Sequence, residues 1–423
     1  MGVGEPGLEN LVAPGAAATA RCRFCESALT RSFADLGTSP LANAYLAAEQ
    51  LGRPEAFYPL HAYVCENCFL VQLPAAATPD EIFSEYAYFS SYSDSWVEHA
   101  RRYVETITDR LGLGPASQVV ELASNDGYLL RWFVARGIPV LGVEPAANVA
   151  AVANEQGIPT LVEFFGRRVG ERLAQEGRGA DLVVGNNVLA HVPDLNDFVA
   201  GIAALLKPDG VVTMEFPHLL RLIEETEFDT IYHEHFSYFS FLTVRDVFAR
   251  HGLTLFDVEE LPTHGGSLRI YGARDRQETE RPAALLERER EAGLDAPAVY
   301  EAFDERVREA KRSLLEFLIE AKRTGRTVVG YGAAAKGNTL LNYCGIRTDF
   351  LDYVVDRSPH KQGLFLPGTH IPIEAPERVA ETRPDYVLIL PWNLAEEITQ
   401  QMAHVREWGC RFVTPVPRVR VLD

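Results

Sequence analysis

The chain of 423 residues has no apolar run that approaches the ~18 residues a membrane-spanning helix needs. Its first twenty residues carry Glu5 and Glu9 but no lysine or arginine, which argues against a secretory signal. A soluble, cytoplasmic protein is the expectation. Positive charge is scarce, with 40 Lys and Arg against 59 Asp and Glu, a formal net charge of −19. That balance opposes non-specific binding to nucleic acid or an anionic membrane, yet a local basic cleft can still hold one phosphate ligand. Cysteine is also sparse, at six residues, and its arrangement points to metal rather than disulfides. What is present is globular: 47% hydrophobic and 23% charged residues, with 25 Pro and 32 Gly, which excludes a disordered, collagen-like or coiled-coil chain. The length is about three times a ~150-residue domain, so two or three domains are expected. The Ala/Gly/Pro-rich stretch before Cys22 reads as a flexible leader.

Four of the cysteines form two pairs, Cys22-Arg-Phe-Cys25 and Cys65-Glu-Asn-Cys68. Two C-x2-C knuckles offer four thiolates to a tetrahedral Zn(II), a closed and therefore structural site. The 39 residues between the pairs require an intervening fold, and Leu60–Val64 reads as the strand that brings the second knuckle back. Cys344 and Cys410 are isolated and expected to be buried.

A helix is expected through Val97 to Arg110, after a Tyr/Ser-rich segment, Glu85-Tyr86-Ala87-Tyr88-Phe89-Ser90-Ser91-Tyr92. From Gln118 short apolar runs alternate with helical periods, the mark of a parallel sheet with crossover helices. The strands expected are Gln118–Leu122, Val140–Glu144, Asp181–Asn187, Val211–Pro217, Leu253–Leu261 and Ser267–Tyr271, the last two an antiparallel hairpin. Residues 277–323 read as a charge-rich helical connector. A second α/β run follows: Arg326–Tyr331, Phe350–Asp356, Asp385–Leu390 and Arg411–Val416. The boundaries that result are 1–80 for leader and metal module, 81–275 for the first α/β unit, 276–325 for the connector and 326–423 for the second.

The first α/β unit reads as an S-adenosylmethionine site. Glu121-Leu122-Ala123-Ser124-Asn125-Asp126-Gly127 runs from a strand into a tight, small-residue turn, at the strand end where open α/β sheets bind ligands. The second strand ends in Glu144-Pro145, where a carboxylate can accept both hydroxyls of a ribose. A dinucleotide site would look similar, but the turn lacks the G-x-G-x-x-G spacing that suits a pyrophosphate. Asn186 and Asn187 close the fourth strand, and the pattern Leu205-Leu206-Lys207-Pro208-Asp209-Gly210 before the fifth resembles class I methyltransferases.

The two Cys pairs, the Glu85–Tyr92 segment, Ala123–Gly127, Tyr232-His233-Glu234-His235-Phe236-Ser237-Tyr238 and Gly330-Tyr331-Gly332-Ala333-Ala334-Ala335-Lys336-Gly337-Asn338 occur in this order. Together they resemble the three-domain, zinc-containing sugar C-methyltransferases that act on dTDP-linked 4-keto-deoxysugars in natural-product pathways. The resemblance implies an α/β fold of three parts: a small N-terminal zinc-binding module, a class I methyltransferase (Rossmann-like) middle domain and a second Rossmann-like C-terminal domain. It also implies methyl transfer from S-adenosylmethionine to a ring carbon beside the ketone, with a small-molecule nucleotide sugar as partner. A generic class I enzyme has a glycine-richer first loop, so Ala123 and Asn125 depart from that pattern but look like this family's own variant.

Carbon becomes nucleophilic only when a proton beside the carbonyl is removed, so the chemistry needs a base and an oxyanion stabiliser. His235 is the expected base, since imidazole titrates near neutral pH. Glu234 can orient a histidine or contact the sugar, Tyr232 and Tyr86 can donate hydrogen bonds, and His191 is the alternative base or donor. A metal held by His233 and His235 lacks an evident third ligand, and His233 is expected to be structural. His218, His251 and His264 are expected to be structural or solvent-facing.

The turn Gly332-Ala333-Ala334 before Lys336 and Asn338 repeats the strand–turn–helix pattern. Backbone N–H groups at a helix N-terminus favour a diphosphate and Lys336 adds charge, so the substrate's nucleotide end is expected here. An NAD site is the rival, with Asp356 as its ribose acid. Two other activities stay open, an O- or N-methyltransferase of another small molecule and an NAD-dependent dehydrogenase or epimerase of a nucleotide sugar. One chain can build the whole cleft, so a monomer is expected.

Overall fold

The computed structural model describes residues 20–76 and 90–422, and three sheets organise them. Between Val119 and Ala273 seven strands lie in the order Thr254–Leu261, Ser267–Ala273, Leu206–Pro217, Ala180–Asn186, Val119–Leu122, Val140–Val143 and Thr160–Leu161. Numbered along the chain this order is 6-7-5-4-1-2-3, the class I methyltransferase arrangement. Ser267–Ala273 runs antiparallel to both its neighbours while the five strands beyond it are parallel. Val119–Leu122 and Val140–Val143 are buried at every residue, as expected of parallel strands covered on both faces. The carboxyl ends of the parallel strands, at Leu122, Val143, Asn186 and Pro217, share one edge of the sheet.

Every strand expected in this unit is present to within a few residues. Thr160–Leu161 was not expected, because two residues carry no periodicity.

The N-terminal sheet pairs Arg31–Ser39, Tyr58–Val64 and Val71–Gln72, all antiparallel. Its fourth strand, Ser237–Tyr238, comes from the stretch between the fifth and sixth strands of the middle sheet and pairs Gln72 with Ser237 and Val71 with Tyr238. The segment that carries His235 therefore runs directly into the metal module's sheet.

The C-terminal sheet has the order Ile373–Glu374, Val354–Val355, Val328–Tyr331, Tyr386–Ile389, Arg411–Thr414 and Arg420–Leu422, parallel except for the last strand. The order 3-2-1-4-5-6 is Rossmann-like. Ile373–Glu374 and Arg420–Leu422 add an edge on each side that the sequence pattern did not reveal.

The expected connector is helical at Glu280–Glu291, Pro297–Glu301 and Phe303–Arg323. The last of these buries Phe303, Val307, Ala310, Leu314, Leu318 and Ala321, a single stripe at three- and four-residue spacing. Asp304 and Glu305 in its first turn and Lys322 and Arg323 in its last complement the helix dipole. The stripe joins the N-terminal and C-terminal sheets in one apolar core, and Phe303 stacks on Phe33 with ring centroids 4.4 Å apart and 5° between planes. Phe303→Ala should cost about 3–5 kcal/mol, the price of a large buried aromatic. A clear fall in the midpoint of the first thermal transition is the expected result, and an unchanged midpoint would mean the two sheets do not share this core.

Candidate active site

The metal module is built from two matching turns. Cys22 N–H donates to Ser27 O and Cys65 N–H to Leu70 O, and in each turn the residue four places on, Glu26 or Phe69, is left-handed. The four Sγ atoms of Cys22, Cys25, Cys65 and Cys68 all lie within 4.8 Å of one another, with Cys22–Cys68 at 3.6 Å and Cys25–Cys65 at 3.4 Å. Zn–S bonds of about 2.3 Å set tetrahedral sulfurs roughly 3.8 Å apart, so the cluster fits Zn(II) with no open position. Gln72 Nε2 donates to Cys22 Sγ at 3.2 Å, and Gln72 itself pairs with Ser237. The cysteine cluster and the segment that carries His235 are thus joined through one residue. Cys344 and Cys410 are buried, as expected.

At the carboxyl edge of the middle sheet, Ala123, Asn125 and Gly127 all take positive φ, which makes the bend tight. A side chain at Gly127 would collide with Ile158, so only glycine serves there. Glu144 accepts the N–H groups of Asn125 at 3.0 Å and Ala146 at 2.9 Å, one on each oxygen, and each oxygen keeps a second lone pair. Ser90 N–H donates to Asn125 Oδ1 at 3.0 Å and Ser91 N–H to Asp126 Oδ2 at 3.2 Å, so the segment before the first helix covers the bend.

Glu121, Asp126 and Glu144 are all buried and face one another. Burial first, and the neighbouring acids second, push the Glu121 carboxyl well above its usual range; burial likewise raises Glu144. Glu121 Oε2, Ser124 Oγ, Asp126 Oδ1, Asn186 Nδ2 and Asn187 Oδ1 have no hydrogen-bond partner among the described residues. Three clustered acids with unmatched acceptors fit a cationic, hydroxyl-bearing ligand such as S-adenosylmethionine. Pro145 follows Glu144 and leads into the helix Ala147–Glu155.

The catalytic candidates meet on the same edge. His191 closes the short turn Leu189–His191 after the fourth strand, and its ring lies 4.8 Å from that of His235. The Tyr232 ring lies 4.0 Å from His235 on another side. Phe236 N–H donates to Ala190 O at 2.7 Å and ties the two segments together. His235 Nδ1 sits 2.8 Å from Thr230 O. A carbonyl can only accept, so Nδ1 carries the proton and Nε2 is the basic nitrogen. Burial first, and then the neighbouring His191, His264 and Lys336, hold the His235 pKa well below the ordinary histidine value, so it is neutral at physiological pH. Burial also lowers His191 to about 4.

The Glu234 side chain makes a contact that the sequence did not suggest. It accepts through Oε1 from Asn43 Nδ2 at 2.6 Å, a residue of the metal module, while the Glu234 backbone bonds the His191 imidazole. Burial raises its pKa to about 7. Tyr86 lies outside the described residues, with most of the Glu85–Tyr92 segment. His233 is structural in its contacts, 3.2 Å from Pro59 O.

His264 has structural contacts at the same edge of the sheet. It is half-buried at φ +56° in the turn Thr263–Gly265, with Nε2 2.8 Å from Asn187 Nδ2, and burial lowers it to about 4. The Thr263 hydroxyl donates to Glu215 Oε1 at 3.0 Å, while His99 and Arg269 bond the other oxygen at 2.9 and 2.7 Å. Burial alone would raise Glu215, but these partners bring it down to about 2. The only local signal was the Gly265-Gly266 pair after His264, which marks a tight turn at a strand end. His218 and His251 are structural, bonded to Glu289 at 2.7 Å and Asn196 at 3.1 Å.

The C-terminal turn also differs in detail. Gly332 takes φ +92°, and Ala333 N–H donates to Asp356 Oδ2 at 2.8 Å. The other Asp356 oxygen accepts Ser358 N–H at 2.8 Å, so this acid ties the Gly332 turn to its own loop. Ala334 caps the helix Ala335–Cys344, where Asn338 is buried. Lys336 does not stand as a free charge for a phosphate: its Nζ bonds Asn393 Oδ1 at 2.8 Å and lies 4.4 Å from the Trp392 ring centroid, facing Glu227 and Asp229.

Comparison with known proteins accords with this geometry. Residues 22–83 match a zinc binding domain family, residues 96–258 a methyltransferase domain family and residues 262–417 a C-methyltransferase C-terminal domain family. The chain is 39% identical over 408 residues to the C-methyltransferase NovU of Streptomyces niveus, covering 95% of this chain and 96% of that protein. It is 33% identical over 110 residues to the ubiquinone biosynthesis O-methyltransferase of Salmonella paratyphi A, 25% of this chain and 45% of that protein. The crystal structure of magnesium protoporphyrin IX methyltransferase from Synechocystis covers 43% of this chain and 82% of its own, with 16% identity and a TM-score of 0.32.

Elemental analysis should find one zinc per chain, and none in Cys65→Ser. Because the module's sheet includes Ser237–Tyr238, that variant should also lose thermal stability; full zinc occupancy in it would contradict the four-thiolate assignment. A second prediction concerns pH. Glu234 stays protonated in the fold to about 7, whereas in the unfolded chain it ionises near the ordinary glutamate value of 4.5. The unfolded state thus binds fewer protons between these values, and stability falls as pH rises through that window. Glu234→Gln lacks this loss, so its thermal midpoint relative to the parent should rise between pH 4.5 and 7.5, by at most about 3 kcal/mol of stability. A pH-independent difference would mean that Glu234 is ionised in the fold.

Proposed function

Because the chain belongs to the zinc-containing, three-domain C-methyltransferases that use S-adenosylmethionine, we propose that it methylates the ring carbon beside the ketone of a dTDP-linked 4-keto-deoxysugar through a base-generated enolate. One observation carries this reading. A histidine fixed with its proton on Nδ1, ringed by Tyr232 and His191, stands on the sheet edge that also bears the Ala123–Gly127 bend.

S-adenosylmethionine, when bound, supplies an electrophilic methyl group. Glu144 accepts ribose hydroxyls, Glu121 and Asp126 favour its positive charge, and Asn186 and Asn187 line its open side. His235 Nε2 removes the proton from the carbon beside the ketone, and Nδ1 stays bonded to the Thr230 carbonyl while the imidazolium exists. Tyr232 donates to the enolate oxygen, with His191 next to it. The positive field of Lys336 has opposite effects on two steps. It weakens His235 as a base, and it stabilises the enolate that forms. Glu234, held by Asn43, contacts the sugar, and Tyr86 has the role of a further hydrogen-bond donor to substrate.

The C-terminal unit takes the nucleotide diphosphate through the backbone of the Gly332–Ala334 turn and the helix that follows it to Asn338, rather than through the Lys336 ammonium. Residues 81–275, 276–325 and 326–423 then act as methyltransferase domain, connector and substrate-positioning domain behind the zinc module of 1–80. A single chain supplies the whole cleft, so the enzyme works as a cytoplasmic monomer.

The test uses a dTDP-4-keto-6-deoxyhexose in D2O. Without methyl donor, the protein should exchange deuterium into the carbon beside the ketone, and His235→Gln should slow that exchange by about 10²–10⁴-fold. Methylation of carbon without any catalysed exchange, or exchange unaffected by the substitution, would remove His235 as the base.

A further inference from the structure

The bond that sets the His235 tautomer comes from a turn that the C-terminal unit holds in place. That turn, Phe228–Thr230, is fully or nearly fully buried. Thr230, whose carbonyl receives His235 Nδ1–H, is anchored locally by its hydroxyl, which donates to Glu227 O at 2.7 Å. The residue before it, Asp229, has no exposure; its Oδ2 accepts Trp392 Nε1–H at 2.8 Å, and Oδ1 has no hydrogen-bond partner among the described residues. Phe228 meets the Tyr343 ring edge-on at 5.4 Å. Trp392 and Tyr343 both belong to the C-terminal unit.

Lys336 completes the arrangement. Its Nζ is held by Asn393 Oδ1 and the Trp392 ring, and it is the cation that faces both Asp229 and Glu227. Two buried carboxyls with one shared cation are tolerable only while that cation stays in place. Glu227 packs so closely on Gly265 that any side chain there would collide with its carboxylate and with Trp392. The turn that bears His264 therefore rests on the same cluster.

We propose that Lys336, Trp392 and Asp229 form a positioning latch, by which the docked C-terminal unit holds the Thr230 carbonyl against His235 and so keeps the base in its proton-accepting tautomer. The inference rests on His235 being the base. None of the three latch residues touches the reacting atoms. Its consequence is a division of labour in which the unit that carries the nucleotide end of the substrate also sets the protonation geometry of the base. Without the carbonyl, nothing confines the proton to Nδ1, and the tautomer protonated on Nε2 cannot accept one from carbon.

The test uses the zinc-loaded full chain with S-adenosylhomocysteine and two near-isosteric variants. Trp392→Phe removes the Nε1–H donor but keeps a ring beneath Lys336, and Asp229→Asn removes the charge but keeps an acceptor. Nitrogen-15 labelling of histidine reads the His235 tautomer directly, and binding of S-adenosylhomocysteine reports that each variant is folded. The parent should show His235 protonated on Nδ1. Each variant should populate the Nε2-protonated form and lose about 10–10²-fold in deuterium exchange into the dTDP-4-keto-6-deoxyhexose, the scale of a misplaced catalytic group. Affinity for S-adenosylhomocysteine should stay within about threefold.

If a folded variant keeps the parental tautomer and exchange rate, the latch is overturned. A variant that also loses S-adenosylhomocysteine binding would overturn it too, since the effect would then be general unfolding. The underlying reading fails separately: exchange retained in His235→Gln removes the base, whereas exchange lost there but intact in both latch variants removes only the latch.

Discussion

Everything at this site turns on one hydrogen bond, from His235 Nδ1–H to the Thr230 carbonyl. It decides which imidazole nitrogen faces the cleft, and the residues that control it sit on both sides in sequence. Upstream, the turn Phe228–Thr230 is packed and bonded by the C-terminal unit through Tyr343 and Trp392. Downstream, Ser237–Tyr238 is a strand of the metal module's sheet, and between them Glu234 is bonded to Asn43 of that module. A stretch of a dozen residues that belongs by position to the methyltransferase unit is thus fixed by its two neighbours. This gives the zinc a role it cannot have by chemistry, because four thiolates leave it no open position.

The charges in the cleft are sorted by purpose. Carboxyls gather at the bend, where Glu121, Asp126 and Glu144 suit a cationic cofactor. Neutral imidazoles gather beside them, and burial keeps His191, His235 and His264 in that form. The buried acids around His235 are either shifted towards the protonated form by burial, like Glu234, or faced by a cation, like Asp229. The same burial makes the fold dependent on pH, since each such carboxyl costs stability once it ionises.

Much of this was legible in the sequence because it is local. The Cys pairs have a spacing that only a knuckle explains, and Ala123–Gly127 and Gly332–Ala334 announce strand–turn–helix bends. The strands of the middle sheet could be read from runs of buried residues. What could not be read depends on distant partners or on very short elements. Ser237–Tyr238, Val71–Gln72 and Thr160–Leu161 are too brief for any period to appear. Lys336 looked like a phosphate ligand from its helix N-terminus, and only the tertiary structure brings Glu227 and Asp229, over a hundred positions earlier, against it. His264 looked like any isolated histidine until the hairpin returned it beside Asn187.

The most direct measurement is a crystal structure of the zinc-loaded protein with S-adenosylhomocysteine. The thioether sulfur should lie about 4–7 Å from His235 Nε2, room for a methyl group and one sugar carbon at near-attack contacts of roughly 3 Å. A sulfur more than ~10 Å away, or a His235 with Nε2 turned out of the shared cleft, would contradict the assignment of this histidine as the base.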